Sequence, residues 1–402
     1  MTRLSDADYQ QPVNQQLLRL IGLTLLGFMI PIATLSRNLL GEPGSIVLSG
    51  ILLSGSLIIL ARAALIQALP RQLLVTLGAA SPILVIYGLS TMVHFELSAV
   101  TNLAQLALVL GFMAGLSFVK WERSSLSPLF WIFSVTLFVH VLWWLAAGSP
   151  DIFQGPMSHP NGLALFAFLL AYVPLMVWRA SRHFGAMRLA ALPAALCSAI
   201  LLYASTSRAS WLAAVVAISV FMLWRPVITR GRWWFHLTFL FVIVSTIVAT
   251  SLYMVAPSYA WGWQLNELTI EITGKNLFSG RQLFWGDLTK AVIERPWLGH
   301  GAGAIAETFT GYSWSAHNLY LQTALQVGLV GLGALTLLLW VMWAQLWRGR
   351  RSFAVRLAAA YFLGILVHQV FEVSLTQNNL ANGFLIWFIM AVALSHVRHT
   401  HP

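Results

Sequence analysis

Apolar stretches long enough to cross a bilayer core, about 20 residues each, recur along almost the whole chain, with short polar breaks between them. Twelve spans are predicted: 17–35, 44–61, 73–93, 97–119, 127–147, 161–178, 187–204, 209–224, 234–256, 318–345, 353–375 and 379–396. One polar stretch interrupts this rhythm. Residues 257–317 are too polar and too long for a loop of the ordinary kind, and they separate the ninth span from the tenth. The expected organisation is therefore one integrated membrane domain: helices 1–9 in 1–256, an insert in 257–317, and helices 10–12 in 318–402. The fold class is an all-α polytopic membrane protein with a partly helical insert.

Composition agrees. The chain is 58% hydrophobic and 9% charged, against about 25% charged in soluble domains. Its net charge of +11 is explained by placement and calls for no nucleic acid. With the N-terminus inside, the inner connections collect Arg62, Arg71, Lys120, Arg123, Arg179, Arg182, Arg188, Arg225, Arg230, Arg232, Arg348, Arg350, Arg351 and Arg356, as the positive-inside rule requires. Both termini are then cytoplasmic. The outer side keeps Arg37, Arg208, Lys275, Arg281, Lys290 and Arg295. Cys197 stands alone, which excludes a disulfide framework. The first 16 residues are polar and carry Asp6 and Asp8, unlike the basic start of a cleavable leader. No acidic pair has the spacing of a metal site, so neither metal nor cofactor is expected.

The outer cations are the exceptions that carry chemistry. Arg208 sits in Ser205-Thr-Ser207-Arg208-Ala-Ser210 at the start of the eighth span, where a cation opposes the helix dipole. It either snorkels to the headgroups or binds an anion together with helix-start N–H groups; the surrounding hydroxyls, Ser207 among them, favour the anion. Within the insert, Phe284, Leu288, Ala291 and Val292 recur at helical spacing, so 281–294 is predicted to be an amphipathic helix, with Lys290 and Glu294 paired and Pro296 as its stop. Arg281 falls in its first turn, again the wrong end for a structural cation, and is there either an ordinary solvated arginine or a functional one. Pro296-Trp-Leu-Gly-His300-Gly-Ala-Gly303 is a glycine turn where backbone can approach a ligand closely, and His300 is either a turn residue without chemistry or its candidate side chain. Ser315-Ala-His317-Asn318-Leu-Tyr-Leu-Gln322 opens the tenth span, with Asn318 or Ser315 as cap and His317 at the membrane edge. His159-Pro-Asn-Gly162 reads as a turn and cap. Gln369 and Glu372, near the end of the eleventh span, are polar groups at membrane depth whose facing the sequence does not give.

Taken in order, the Ser-x-Ser-Arg-x-Ser knot, the outer Ser279-Gly-Arg281, Pro-x-Leu-Gly-His-Gly, and His-Asn-x-Tyr-Leu-Gln before Gly328-Leu-Val-Gly331 resemble the O-antigen ligase family, whose domain is shared with O-antigen polymerases and protein O-oligosaccharyltransferases. The motifs cover roughly 205–331; the twelve-span layout and large ninth-to-tenth insert are similar throughout. The resemblance implies a metal-independent GT-C-type glycosyltransferase of the bacterial inner membrane. Such an enzyme moves a glycan from undecaprenyl diphosphate to the lipid A–core oligosaccharide on the periplasmic face. Carried over residue by residue, it implies diphosphate binding by Arg208 and Arg281 and catalysis by His317. Asn318, His300, Ser207, Arg37 and His159 remain substrate-binding candidates without an assigned role.

These residue types suit that chemistry. A sugar hydroxyl is a poor nucleophile, and an imidazole, with an ordinary pKa of about 6.5, is placed to take its proton. A departing diphosphate needs its charge neutralised, and two arginines supply that. Direct displacement inverts the anomeric centre. Amphiphilic substrates arrive laterally through the bilayer, with the insert opening and closing over the acceptor. Three other readings stay open. A polymerase extends the glycan on its carrier, a protein oligosaccharyltransferase modifies Ser or Thr, and a lipid-glycan flippase moves its substrate without making a bond, though flippases tend to show repeats and broken midplane spans.

Overall fold

The structure, a computed structural model, describes residues 54–55, 71–157, 159–179, 185–377 and 380–400. The expected first span, all but two residues of the second, and Arg37 lie outside them. Every described regular element is helical: α1 (Arg71–Val93), α2 (Leu97–Ser117), α3 (Arg123–Ala146), α4 (Pro160–Leu170) continued by α5 (Tyr172–Arg179), α6 (Ala186–Ser205), α7 (Arg208–Thr229), α8 (Arg232–Val255), α9 (Ala260–Thr273), α10 (Arg281–Glu294), α11 (Ala306–Thr310), α12 (Leu319–Leu346), α13 (Phe353–His368) and α14 (Leu380–Thr400). Among the described residues nine spans have the length and hydropathy to cross a membrane, and α13 is a shorter apolar helix. The protein is thus an all-α polytopic membrane protein, and each expected span from the third onward has its helix.

Burial sorts these helices. The apolar window of α14 is 89% buried, whereas that of α7 is 17% buried. Leu240, Phe241, Val244, Ile247, Val248 and Leu252 of α8 point outward, as an apolar solvent permits. Pro82, Pro128, Pro193 and Pro226 lie inside helices, which neighbouring helices tolerate in a membrane by re-satisfying freed backbone groups.

Two helix pairs position the site. α7 and α13 run antiparallel and pack along their length. Gly364 makes the close approach possible, because a side chain there would press on the Ala213 carbonyl and the Ala217 methyl, a small-residue contact of the kind membrane helices use. The start of α7 therefore meets the end of α13. That end comes earlier than expected: the eleventh span stops at His368 rather than 375. The Gln369 side chain turns the chain, its Oε1 accepting from the Ser374 and Leu375 N–H groups, both at 3.0 Å. Residues 369–377 so form a buried loop in which Glu372 is fixed.

The second pair joins the insert to α12, which is broken. Val327 and Gly328 leave the helical region, Gly328 with φ +67°. The break frees backbone groups, and the 296–301 turn takes them up. His300 and Gly301 N–H donate to the Leu325 and Gln326 carbonyls at 2.8 and 3.0 Å, while Leu329 N–H donates to the Pro296 carbonyl at 2.7 Å. A Cβ on Gly328 would run into the Trp297 carbonyl oxygen. The glycine turn thus approaches the protein's own backbone where a ligand was expected.

The amphipathic insert helix has the expected bounds and buries Phe284, Trp285, Leu288 and Ala291. Lys290, however, pairs with Asp287 at 2.9 Å instead of with Glu294; the shorter acidic side chain three residues back sits nearer the ammonium. α9, which hydrophobic periodicity did not single out, has no buried hydrophobic side chain.

Candidate active site

At the end of the bundle where α4, α7 and α12 begin and α8 and α13 end, several polar side chains converge. Each owes its position to a local device. Asn318 caps α12, its Oδ1 accepting from Tyr320 and Leu321 N–H at 3.0 Å each. The residue before it, His317, is held at φ +45°, a left-handed conformation that costs free energy for a side-chain-bearing residue and that clusters at functional sites. His159 caps α4 by accepting the Asn161 N–H at 3.2 Å, with Pro160 at the first helical position. Arg208 follows Thr206, the left-handed terminus of α6.

Glu372 joins these parts. Its Oε2 lies 3.2 Å from His317 Nδ1, and its Oε1 lies 3.5 Å from an Arg281 terminal nitrogen. The Asn161 amide donates to the same Oε1 at 2.7 Å. Side-chain exposures are 13% for Arg281, 20% for Glu372 and 28% for His317, so the group is sheltered yet reachable. Burial, the largest influence on the Glu372 carboxyl, pushes it up. The hydrogen bond and charge of His317, with the charges of Arg281 and His368, outweigh burial and bring it down to about 2. An ionised Glu372 requires a proton on His317 Nδ1 and so assigns the tautomer, leaving the Nε2 lone pair of the neutral ring available. Among the described residues no hydrogen-bond partner reaches Nε2. This imidazole–carboxylate pair is the arrangement by which a general base is oriented and its conjugate acid stabilised.

The cations lie alongside. Arg281 also donates to the Phe371 carbonyl at 3.0 Å, and its Nε is buried with no partner among the described residues. Arg208 reaches across to the insert, donating to the Asn276 carbonyl at 2.6 Å and to Ser279 Oγ at 2.7 Å. Ser279 stands two residues before Arg281, so one loop holds both arginines. Lys275 donates to the Thr206 carbonyl at 3.3 Å and to Thr206 Oγ1; burial, then the charge of Arg208, pushes its ammonium down. Tyr253 closes the gap between them, its hydroxyl donating to the Leu277 and Phe278 carbonyls. Arg208, Lys275 and Arg281 against one carboxylate leave an excess of positive charge, which suits an anion.

The remaining candidates divide. His159 is within electrostatic reach of Glu372, His317, Arg281 and Lys275, and its imidazole is pushed down by burial first, with Glu372 opposing and the cations adding. Ser207 is buried and donates to Ser210 Oγ at 3.1 Å, which in turn meets His368 Nε2 at 3.3 Å; it braces the start of α7 against α13. Asn318 is fully buried and occupied by its cap. His300 turns away from the cluster, its Nε2 on the Ala291 carbonyl at 2.7 Å and its ring 4.6 Å from that of Phe309. Sequence reasoning noticed Glu372 without assigning it, and passed over Asn161, Lys275 and Tyr253 as site members. An acidic residue directly after an apolar run was the available signal for Glu372; nothing local signalled its partner 55 residues earlier in the chain. Among the described residues no three His, Cys, Asp or Glu side chains are grouped to hold a metal ion.

No curated protein matches the chain. Residues 193–336 match the family model described as O-antigen ligase, from the middle of α6 through the break in α12. Arg208, Lys275, Arg281 and His317 fall inside this stretch; Asn161 and Glu372 fall outside it. This stretch is thus similar to the domain of the O-antigen ligase family, and the match supports the resemblance carried by the motifs between 205 and 331.

Proposed function

We propose that the protein is an O-antigen ligase. It joins a glycan carried on undecaprenyl diphosphate to the lipid A–core oligosaccharide at the periplasmic face of the inner membrane. The observation that carries this reading is Glu372, which binds His317 on one oxygen and Arg281 on the other, so that a base and an anion-binding cation share one fixed point. In the reaction, His317 Nε2 takes the proton of an acceptor sugar hydroxyl as its oxygen attacks the anomeric carbon. The bond from that carbon to the diphosphate oxygen breaks, and its electron pair leaves with the lipid diphosphate. Glu372 stabilises the imidazolium that forms. Arg208, Lys275 and Arg281 meet the charge growing on the diphosphate, which departs as a stable anion and needs no proton. Attack from the opposite side inverts the anomeric centre.

Arg208 and Lys275 now hold loop carbonyls and hydroxyls. A diphosphate displaces these neutral acceptors readily, because hydrogen bonds to a charged acceptor are stronger. The positive-inside bias supports placing this end of the bundle in the periplasm.

The test is transfer of glycan from purified undecaprenyl-diphosphate oligosaccharide to lipid A–core by the purified protein. Native protein is expected to form the ligated product with or without EDTA. His317→Ala is expected to lower kcat by about 100-fold or more, the usual scale for a lost general base. Lengthening of the donor glycan with the core left bare assigns polymerisation instead. Loss of activity with EDTA, restored by one divalent ion, overturns the metal-independent step.

A further inference from the structure

Next to this cluster the segment after α11 holds two aromatic rings in the open. Tyr312 and Trp314 stack with centroids 5.4 Å apart and 17° between planes, and they are 38% and 47% exposed. Trp314 is fixed from behind, where Phe284 meets it edge-on at 5.7 Å. Gly280, at φ +81°, leaves the room: a Cβ there would lie 3.3 Å from the indole. The segment is braced as well. Tyr312 N–H donates to Thr310 Oγ1 at 3.3 Å, and Ser313 Oγ donates to Glu307 Oε1 at 3.0 Å. Trp314 therefore lies against Gly280, the neighbour of Arg281, and His317 follows three residues further along the chain.

Large rings held rigid and half in solvent beside a polar cluster form a surface for a ligand, and their surroundings indicate which. An aromatic face is electron-rich, and a pyranose offers a face of weakly positive C–H groups flanked by hydroxyls. Around these rings lie Glu307, Ser313 and Ser315, which suit sugar hydroxyls. The exposed aromatics at the start of the insert differ. Tyr259, Trp261 and Trp263 stand with exposed Leu265, Leu268 and Ile272 on α9, directly after the outward apolar face of α8, a setting that suits a bilayer interface. We propose that Tyr312 and Trp314 are a stacking platform for a sugar ring of the glycan substrate, setting its position against His317 and Arg281. This rests on the glycan-transfer reading above.

The experiment compares native protein with Tyr312→Ala, Trp314→Ala and Trp314→Phe, each full-length in lipid nanodiscs, with the same donor and acceptor. Removing a ring is expected to raise KM for one of the two glycan substrates by about tenfold or more while kcat stays within about twofold. Trp314→Phe, which keeps a ring and guards against a folding defect in the alanine variant, is expected to stay near native. Unchanged KM values for both substrates overturn the platform, as does a fall in kcat alone. Unchanged KM values with weaker quenching of Trp314→Ala fluorescence by brominated phospholipid show that the rings contact the membrane, and also overturn it. If native protein forms no glycosidic bond, the proposed function fails, and the platform is decided by saturation-transfer NMR with lipid-free core oligosaccharide. Transfer seen with native protein and lost in both alanine variants supports the platform; equal transfer, or none in any of them, overturns it.

Discussion

A carboxylate that is four-fifths sheltered and faces a guanidinium, an imidazole and a carboxamide carries a stability term with a definite pH window. Glu372 is held down to about 2, from an ordinary value near 4.5. The unfolded chain therefore binds its proton first on acidification. The contribution of the carboxylate is fully present above about pH 4.5 and is lost progressively as pH falls toward 2. Glu372→Gln is accordingly expected to lower the thermal midpoint of the detergent-solubilised protein at pH 7, and the gap from native is expected to narrow on going from pH 5 to pH 3. A gap that does not change with pH contradicts the assigned ionisation. At this scale the sequence was half legible. Arg208, Arg281 and His317 each stood out as a polar residue out of place for a helix start or a membrane edge. The carboxylate that Arg281 and His317 share was noticed but not assigned, because a carboxylate after α13 gives no local sign that the chain will fold it against residues 281 and 317.

Among the elements, α12 is the least ordinary. A break inside a membrane helix exposes N–H and C=O groups where water is scarce, and each unmet group is costly. Here the turn around Leu298 makes the missing bonds. Gly328 permits this through its positive φ and its missing side chain, so Gly328→Ala is expected to destabilise the protein by about 2 kcal/mol or more. The midpoint of thermal unfolding in detergent measures this, with Gly333→Ala, in the same helix and open to added volume, as the near-neutral control. The Pro-x-Leu-Gly-His-Gly motif was plain in the sequence, but its partner was not: residues 325–330 read as unbroken apolar helix, and glycine in a membrane helix is too common to mark a break. The amphipathic 281–294 helix was legible to the residue because burial on one face imposes a period that composition preserves.

Among the described residues, length and hydropathy sufficed for the spans from the third onward, since crossing a bilayer constrains a helix more tightly than any loop is constrained. The early end of α13 was missed because residues 369–375 remain apolar enough to extend the run, and the side chain of Gln369 turns them back. The inward gathering of basic residues sets the expected orientation. In a Cys197→Ser background, a cysteine at Ser313 is expected to react with a membrane-impermeant thiol reagent added to intact spheroplasts, and one at Arg348 only after permeabilisation. The opposite pattern inverts the molecule and removes the periplasmic reading. The repair of α12 has a mechanical consequence of its own. Because residues 296–301 are sewn to residues 325–330, a single cut in the open Gly311–Ser315 segment leaves both pieces laced together without a covalent link. Chymotrypsin-nicked protein is expected to elute as one particle in size-exclusion chromatography, and the same stitching means that the root of the insert cannot swing as a free flap: whatever admits the acceptor has to be sought in side chains and in the α9 region, not in wholesale lifting of the polar segment.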